Sequence, residues 1–409
     1  MSETRGYSTT FRVLACLAVL AIGWRMLSLG LADNYSRSRP ESALGWRQDH
    51  PVALLTAAQK IVRKEPARAS EMALSALGAD PLEGRAYRVL GEIAEQRGDL
   101  SAALQRYQIA SIRSPRDLPT HFWLERHYLS KGQLVPALQQ ADLLLRIEPR
   151  TKDSQFPLLQ SLAALPQAHV ALAKLLAQHP PWRETFVVGL SAQAQDSVAI
   201  APFMGRLRLS PAGLFQAELH AWMERLIKEQ RWGEAYLTWA STLPSEQQSE
   251  LGNLFNGGFE REPSNSGFDW RFDRVGGAYI EREAGAGVTG DFALRISFEG
   301  RRVPFKNVRQ LLALSPGRYR LSGRGRADGL RSERGLVWSV FCADTNLSLA
   351  DTDPLTGQGP WRPFFKEFVV PAEGCGGQWL QLAVPARIAA EQRIGGRAWF
   401  DDLRIVREQ

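Results

Sequence analysis

Side-chain catalysis needs an acid beside a base, or a nucleophile beside the base that activates it, and this sequence offers neither at a recognisable spacing. Its histidines, His50, His121, His127, His169, His179 and His220, share no metal-ligand spacing, and none lies in the last third of the chain. Asp401 and Asp402 are adjacent, so on a strand they point to opposite faces and make poor partners for one reaction. Neither a G-x-S-x-G elbow nor a phosphate-binding glycine loop occurs. Binding chemistry is better represented. In Trp379-Leu380-Gln381-Leu382-Ala383-Val384 the alternation gathers the aliphatic residues Leu380, Leu382 and Val384 on one face and sets Trp379 with Gln381 on the other. Of the cysteines, Cys16 lies in an apolar run, while Cys342 and Cys375 lie in the last third. In an exported protein those two are a candidate disulfide, provided the strands that carry them are neighbours; a buried thiol pair is the alternative.

The rest of the chain must position these groups. With 44% hydrophobic and 23% charged residues among 409, it is globular and has room for two or three domains. The net charge of +7 is spread as arginines among acids, without the basic block of a nucleic-acid binder. Residues 1–10 are polar and basic, and the segment 11–32 is mostly apolar, with Arg12 near its start and Arg25 within it. It reaches the roughly 20 residues of a membrane span if Arg25 snorkels to the far interface. Too few residues precede Cys16 for a lipoprotein signal. The favoured reading is an uncleaved anchor, the alternative a signal cleaved after Ala32, and both place the bulk of the chain across the membrane.

Helical spacing begins near Pro51. Counting Gly84 as position 1, Tyr87, Leu90, Gly91 and Ala94 fall at 4, 7, 8 and 11, and Gly98, Ala103, Tyr107, Ala110 and Pro115 at 15, 20, 24, 27 and 32. One period on come Leu124, Tyr128, Gly132, Ala137, Ala141 and Pro149; one period back come Ala57, Ala69, Ala73, Ala76 and Pro81. This array resembles the tetratricopeptide (TPR) repeat of about 34 residues. Small residues let two antiparallel helices approach, large apolar ones fill the gap, and proline stops the second helix. Such hairpins stack into a solenoid with a concave binding surface, which implies a protein partner. Beyond Pro149 the register weakens, and Pro166, Pro180, Pro181, Pro202 and Pro211 are expected to separate short helices. A last hairpin spans 212–243, with Trp232 and Gly233 at its internal turn.

At Asn253 the texture changes to glycine-rich alternation, with strands expected at 293–298, 318–323, 335–341, 364–370, 379–384 and 397–406, an antiparallel sandwich. Its opening Asn256-Gly257-Gly258-Phe259-Glu260, the segment Gly290-Asp291-Phe292 and the closing Trp399-Phe400-Asp401-Asp402-Leu403 resemble a family of jelly-roll carbohydrate-binding modules. The resemblance implies a structural calcium held by Glu260 and Asp401, with Asp291; the alternative is that these carboxylates cap turns and pair with arginines. It also implies sugar contact through exposed aromatics and polar groups, for which Trp379, Gln381, Trp338, Trp361 and Arg387 are candidates, with burial as the alternative for each tryptophan.

The expected fold is multidomain α + β: an N-terminal membrane anchor (1–35), a linker (36–50), a TPR-like α-solenoid (51–250) and a C-terminal antiparallel jelly-roll β-sandwich (252–409). The expected function is that of a non-catalytic scaffold, anchored in a bacterial inner membrane with its bulk in the periplasm, that binds a protein and a glycan in exopolysaccharide or surface-polysaccharide assembly or export. The alternatives are a glycan-acting enzyme and a protein-only assembly factor.

Overall fold

The computed structural model describes residues 4–408. It divides into two compact units, residues 1–186 with 196–213, and residues 187–195 with 214–409. In the first, helix α1 (Thr4–Tyr35) contains a 23-residue stretch, Val13–Tyr35, apolar and long enough to cross a membrane. Helix α2 (Pro40–Trp46) occupies part of the segment expected to be linker, and Pro40 opens it where a helix needs no N–H.

Three hairpins follow: α3 (Pro51–Ile61) with α4 (Pro66–Ala79), α5 (Gly84–Gln96) with α6 (Leu100–Arg113), and α7 (Leu118–Ser130) with α8 (Leu134–Ile147). They are the repeats read from the spacing. A Cβ on Gly91 would meet the Tyr107 ring carbons at 3.0 Å, so glycine sets how closely α5 and α6 approach. Gly98 and Gly132, in the turns of the second and third hairpins, take φ of 78° and 67°, a left-handed conformation that costs other residues energy. Buried Ala69, Ala73 and Ala76 of α4 join Ala86, Val89 and Ile93 of α5, and Tyr107 stacks on Trp123 of α7 with centroids 4.0 Å apart, so the repeats share their cores.

Shorter helices come next: α9 (Lys152–Ala163), α10 (His169–Leu176), α11 (Arg183–Gln193) and α12 (Ser197–Arg208). Pro202 does not separate two of them as expected but lies inside α12. Burial of Ile200, Phe203 and Met204 around it holds the helix through the hydrogen bond that proline forfeits.

The second unit contains the hairpin α13 (Gln216–Lys228) and α14 (Trp232–Ala240). Its turn comes just ahead of Trp232, with Gln230 at φ 60°, and Trp232 itself opens α14. Ten strands follow: β1 (Trp270–Phe272), β2 (Ala278–Ala284), β3 (Phe292–Arg302), β4 (Val308–Leu312), β5 (Gly317–Ser332), β6 (Val337–Cys342), β7 (Ser348–Asp351), β8 (Gly357–Val370), β9 (Gln378–Ala383) and β10 (Arg393–Arg407). They form two five-stranded antiparallel sheets, β1-β4-β9-β6-β7 and β2-β3-β10-β5-β8. From β3 onward every connection except β6 to β7 crosses between the sheets, as in a jelly roll. All the runs expected as strands are strands. Leu294, Ile296, Leu321, Trp338, Leu380, Leu382 and Phe400, facing inward from both sheets, fill the core.

Candidate functional site

Strand β9 alternates as expected: Leu380 and Leu382 are buried in the core, and Trp379 and Gln381 point outward and are half-buried. The pairing register carries this outer side across the sheet. Arg271 of β1 pairs with Arg309 of β4, Arg309 with Gln381, Gln381 with Ser339 of β6, and Ser339 with Asp351 of β7. The result is one file of polar residues crossing every strand, about 19 Å long at the usual strand spacing.

Trp379 lies beside this file, with the guanidinium of Arg309 4.7 Å and that of Arg271 5.4 Å from its ring centroid. Nε of both arginines is buried without an acceptor among the described residues. Arg271 is directed by Glu224 of α13, at 3.1 Å, and by the Gly267 carbonyl at 3.4 Å. Gln381 donates its amide N–H to the Lys306 carbonyl at 3.0 Å. The indole is therefore not a bare platform but one shared with two cations.

The remaining sugar candidates are scattered. Trp338 is corrected by its burial: it faces inward on β6 beside Trp270 and Phe400, at 5.6 and 5.5 Å between centroids, and at 1% exposure it offers no face to a ligand. Its parity with Val340 and Cys342 was the available signal. Trp361 is half-buried on β8, an edge strand of the other sheet. Arg387 is exposed after β9, its backbone N–H donated to Glu391 at 2.7 Å. Sequence reading missed Arg271 and Arg309, because β1 and β4 are too short for alternation to register, and it missed Glu224, which reaches the site from a distant helix. Trp399 on β10 of the second sheet lies under Arg326 at 4.7 Å but is buried, like Trp338.

At the sandwich's corner its opening and closing segments meet. Leu403 donates its N–H to the Gly257 carbonyl at 3.0 Å, and a Cβ on Gly257 would come 2.0 Å from the Leu403 carbonyl oxygen, so no larger residue fits there. Glu260 accepts from the N–H groups of Asp291 and Phe292 at 3.1 and 3.2 Å. Asp401, wholly buried, accepts from Val288 at 2.6 Å, Thr289 at 3.2 Å and Asp402 at 2.7 Å. Burial pushes the Asp401 carboxyl above its ordinary pKa, and those donations oppose the shift. Asp291 is exposed and contributes its backbone. Glu260, Asp291 and Asp401 thus come together as the resemblance implied, but as turn caps. Among the described residues no three His, Cys, Asp or Glu side chains converge to hold a metal ion, so a calcium at this corner would need backbone carbonyls and water for most of the roughly 6–8 oxygen ligands it takes.

Cys342 and Cys375 form a disulfide, with Cα atoms 4.9 Å apart, between the end of β6 and the turn before its neighbour β9. Beside it Trp232 of α14 lies against Gly376 and Gly377, where a Cβ would come within 2.7 and 2.6 Å of the indole. Trp232 donates its ring N–H to Asp344 at 2.8 Å, and Asp344 also accepts from the Gly376 N–H at 2.8 Å.

The sandwich resembles carbohydrate-binding modules. One solved structure, titled "CBM4 structure and function", is matched over 38% of this chain and 99% of its own, at 15% identity and a TM-score of 0.29. Another, of TmCBM61 in complex with β-1,4-galactotriose, is matched over 39% of this chain and 99% of its own, at 20% identity and a TM-score of 0.28. In sequence, 115 residues, 27% of this chain, are 32% identical to cellulose synthase operon protein C of Pseudomonas fluorescens (strain SBW25). The chain spans 9% of that relative's length. No protein-family model matches it.

The outer file offers donors, acceptors and stacking planes, the chemistry that holds a polyhydroxylated ligand.

Proposed function

We propose that the chain is a membrane-anchored, non-catalytic scaffold in the assembly or export of an exopolysaccharide or cell-surface polysaccharide, with its bulk in the periplasm. The repeats hold a protein partner and the sandwich holds a glycan. One observation carries the glycan half: the file Arg271, Arg309, Gln381, Ser339 and Asp351 beside Trp379, whose evenly spaced polar groups suit the hydroxyls of an extended oligosaccharide. The stacked hairpins support the protein half, since such arrays form extended concave surfaces. The apolar Val13–Tyr35 stretch and the Cys342–Cys375 disulfide agree with an anchor and an oxidising compartment. The name of the curated relative concerns a cellulose synthase operon, and the same class of process suits this chain.

The test is a glycan array of β-glucans, xylans, galactans and uronate-containing polysaccharides, probed with the full-length protein and with the double variant Trp379→Ala, Gln381→Ala. Binding by the first and loss in the second is expected. A silent array would reduce the reading to a protein-only assembly factor, and release of reducing ends would replace it with an enzyme.

A further inference from the structure

Outside the repeats, α10 and α12 of the first unit enclose a groove of about 800 Å³. Small residues make its floor: Ala173 on α10, and Gly205 on α12, where an added Cβ would meet nothing within 4 Å. Beneath it Leu172, Phe203 and Leu207 are fully buried, and His169 donates its ring Nε2–H to the Ala163 carbonyl at 3.0 Å, so the floor is packed and fixed. The walls are different. Val170 is 60% and Leu209 80% exposed, large aliphatic side chains turned to solvent on both sides of one trough. Exposed aliphatic groups gathered on a concave surface mark a place where another apolar surface is buried.

The charge at the groove has one sign. Lys174 and Arg206 line it, both exposed, neither in an ion pair among the described residues, and its lining includes no Asp or Glu. We propose that this groove docks an amphipathic helix of a protein partner, with aliphatic residues at helical spacing along one face and acidic residues flanking it. A partner helix of about 12 residues would run about 18 Å, the length of α12 itself. Its apolar face would cover Val170 and Leu209, and its carboxylates would meet Lys174 and Arg206. A bilayer is a poorer occupant, because the aliphatic groups line a trough and do not stand out from a convex face. This inference concerns a surface separate from both the repeats and the sandwich, and it does not depend on the glycan reading.

The experiment uses full-length protein in nanodiscs of zwitterionic lipid and a fluorescent 16-residue probe peptide, leucine at i, i+3, i+4 and i+7 with glutamate on the flanks, read by anisotropy. Saturable binding is expected, about tenfold or more weaker in Lys174→Glu with Arg206→Glu, and in Gly205→Leu, whose Cβ would meet nothing within 4 Å and whose side chain would occupy the trough. Circular dichroism and melting temperature should match wild type, and a peptide with lysine in place of glutamate should bind far more weakly. The proposal is overturned if the acidic peptide does not bind, if the groove variants bind it as wild type does, or if the lysine peptide binds equally. Self-association that Leu209→Glu abolishes, without peptide binding, would assign the groove to a second copy of the chain and overturn it as well.

Discussion

Glu224 on α13 and Arg271 on β1 pair at 3.1 Å across 47 residues of sequence, and the pair holds Arg271 against the ring of Trp379. The Arg271 side chain is 15% exposed and that of Glu224 37%, so solvent screens one partner more than the other. Arg271→Ala removes an ion pair, a cation–π contact and a hydrogen bond to Gly267, and should cost about 1–3 kcal/mol in urea unfolding. In a double-mutant cycle with Glu224→Gln the coupling should be about 0.5–1 kcal/mol, reduced by the exposure of Glu224. Zero coupling would show that α13 does not hold the arginine.

The repeat packing can be tested at two glycines of the first unit. Gly91→Leu must push α5 from α6, because Tyr107 already stands 3.0 Å from the position of a Cβ, and it should destabilise by about 1–3 kcal/mol. Gly78, near the end of α4, has nothing within 4 Å of an added Cβ. Gly78→Ala should therefore be neutral or stabilise by up to about 1 kcal/mol, through helix propensity alone. Equal effects of the two substitutions on melting would contradict the packing described.

What could be read from the sequence depended on whether a local period reports the contact. The repeats were legible because Gly91, Ala103, Tyr107 and Ala110 recur at fixed spacing and each spacing has a steric cause. The strands from β3 to β10 were legible where alternation runs long enough, and β1, β4 and β7 were too short for it. On β9 the same alternation placed Trp379 and Gln381 outward. It would also have placed Trp338 inward, had parity been weighed above residue type. The partners that shape the candidate face were not legible, since Arg271 and Glu224 meet through tertiary structure alone.

Stability should depend on pH through the buried carboxyls of the sandwich. Burial raises Asp401 and Asp269 above their ordinary value of 3.8. The folded state therefore holds protons that the unfolded chain has released, and the contribution of each group falls as pH rises from 3.8 through its raised value. Asp401→Ala should flatten that part of the profile. It should also cost about 1–3 kcal/mol or more, because the N–H groups of Val288, Thr289 and Asp402 lose their acceptor in a buried corner. If the carboxylates serve only as caps, EDTA and added calcium should both leave the melting temperature unchanged.

The disulfide and Trp232 should be coupled. Cys342 precedes Asp344 by two residues and Cys375 precedes Gly376 by one, so the bridge joins the two loops that receive the Trp232 ring. Replacing both cysteines by serine frees a loop of 33 residues and should cost about 3–4 kcal/mol in the chain-entropy account. With the bridge gone, the two loops are joined by hydrogen bonds alone, from Gly376 to Asp344, from Ala343 to the Gly377 carbonyl and from Thr345 to the Gly374 carbonyl, and they can part without breaking a covalent link. Trp232→Ala should then cost less in the cysteine-free protein than in wild type, by about 0.5 kcal/mol or more. Additive effects of the two changes, measured by urea unfolding of the full chain, would show that the loops keep their shape around Trp232 without the bridge.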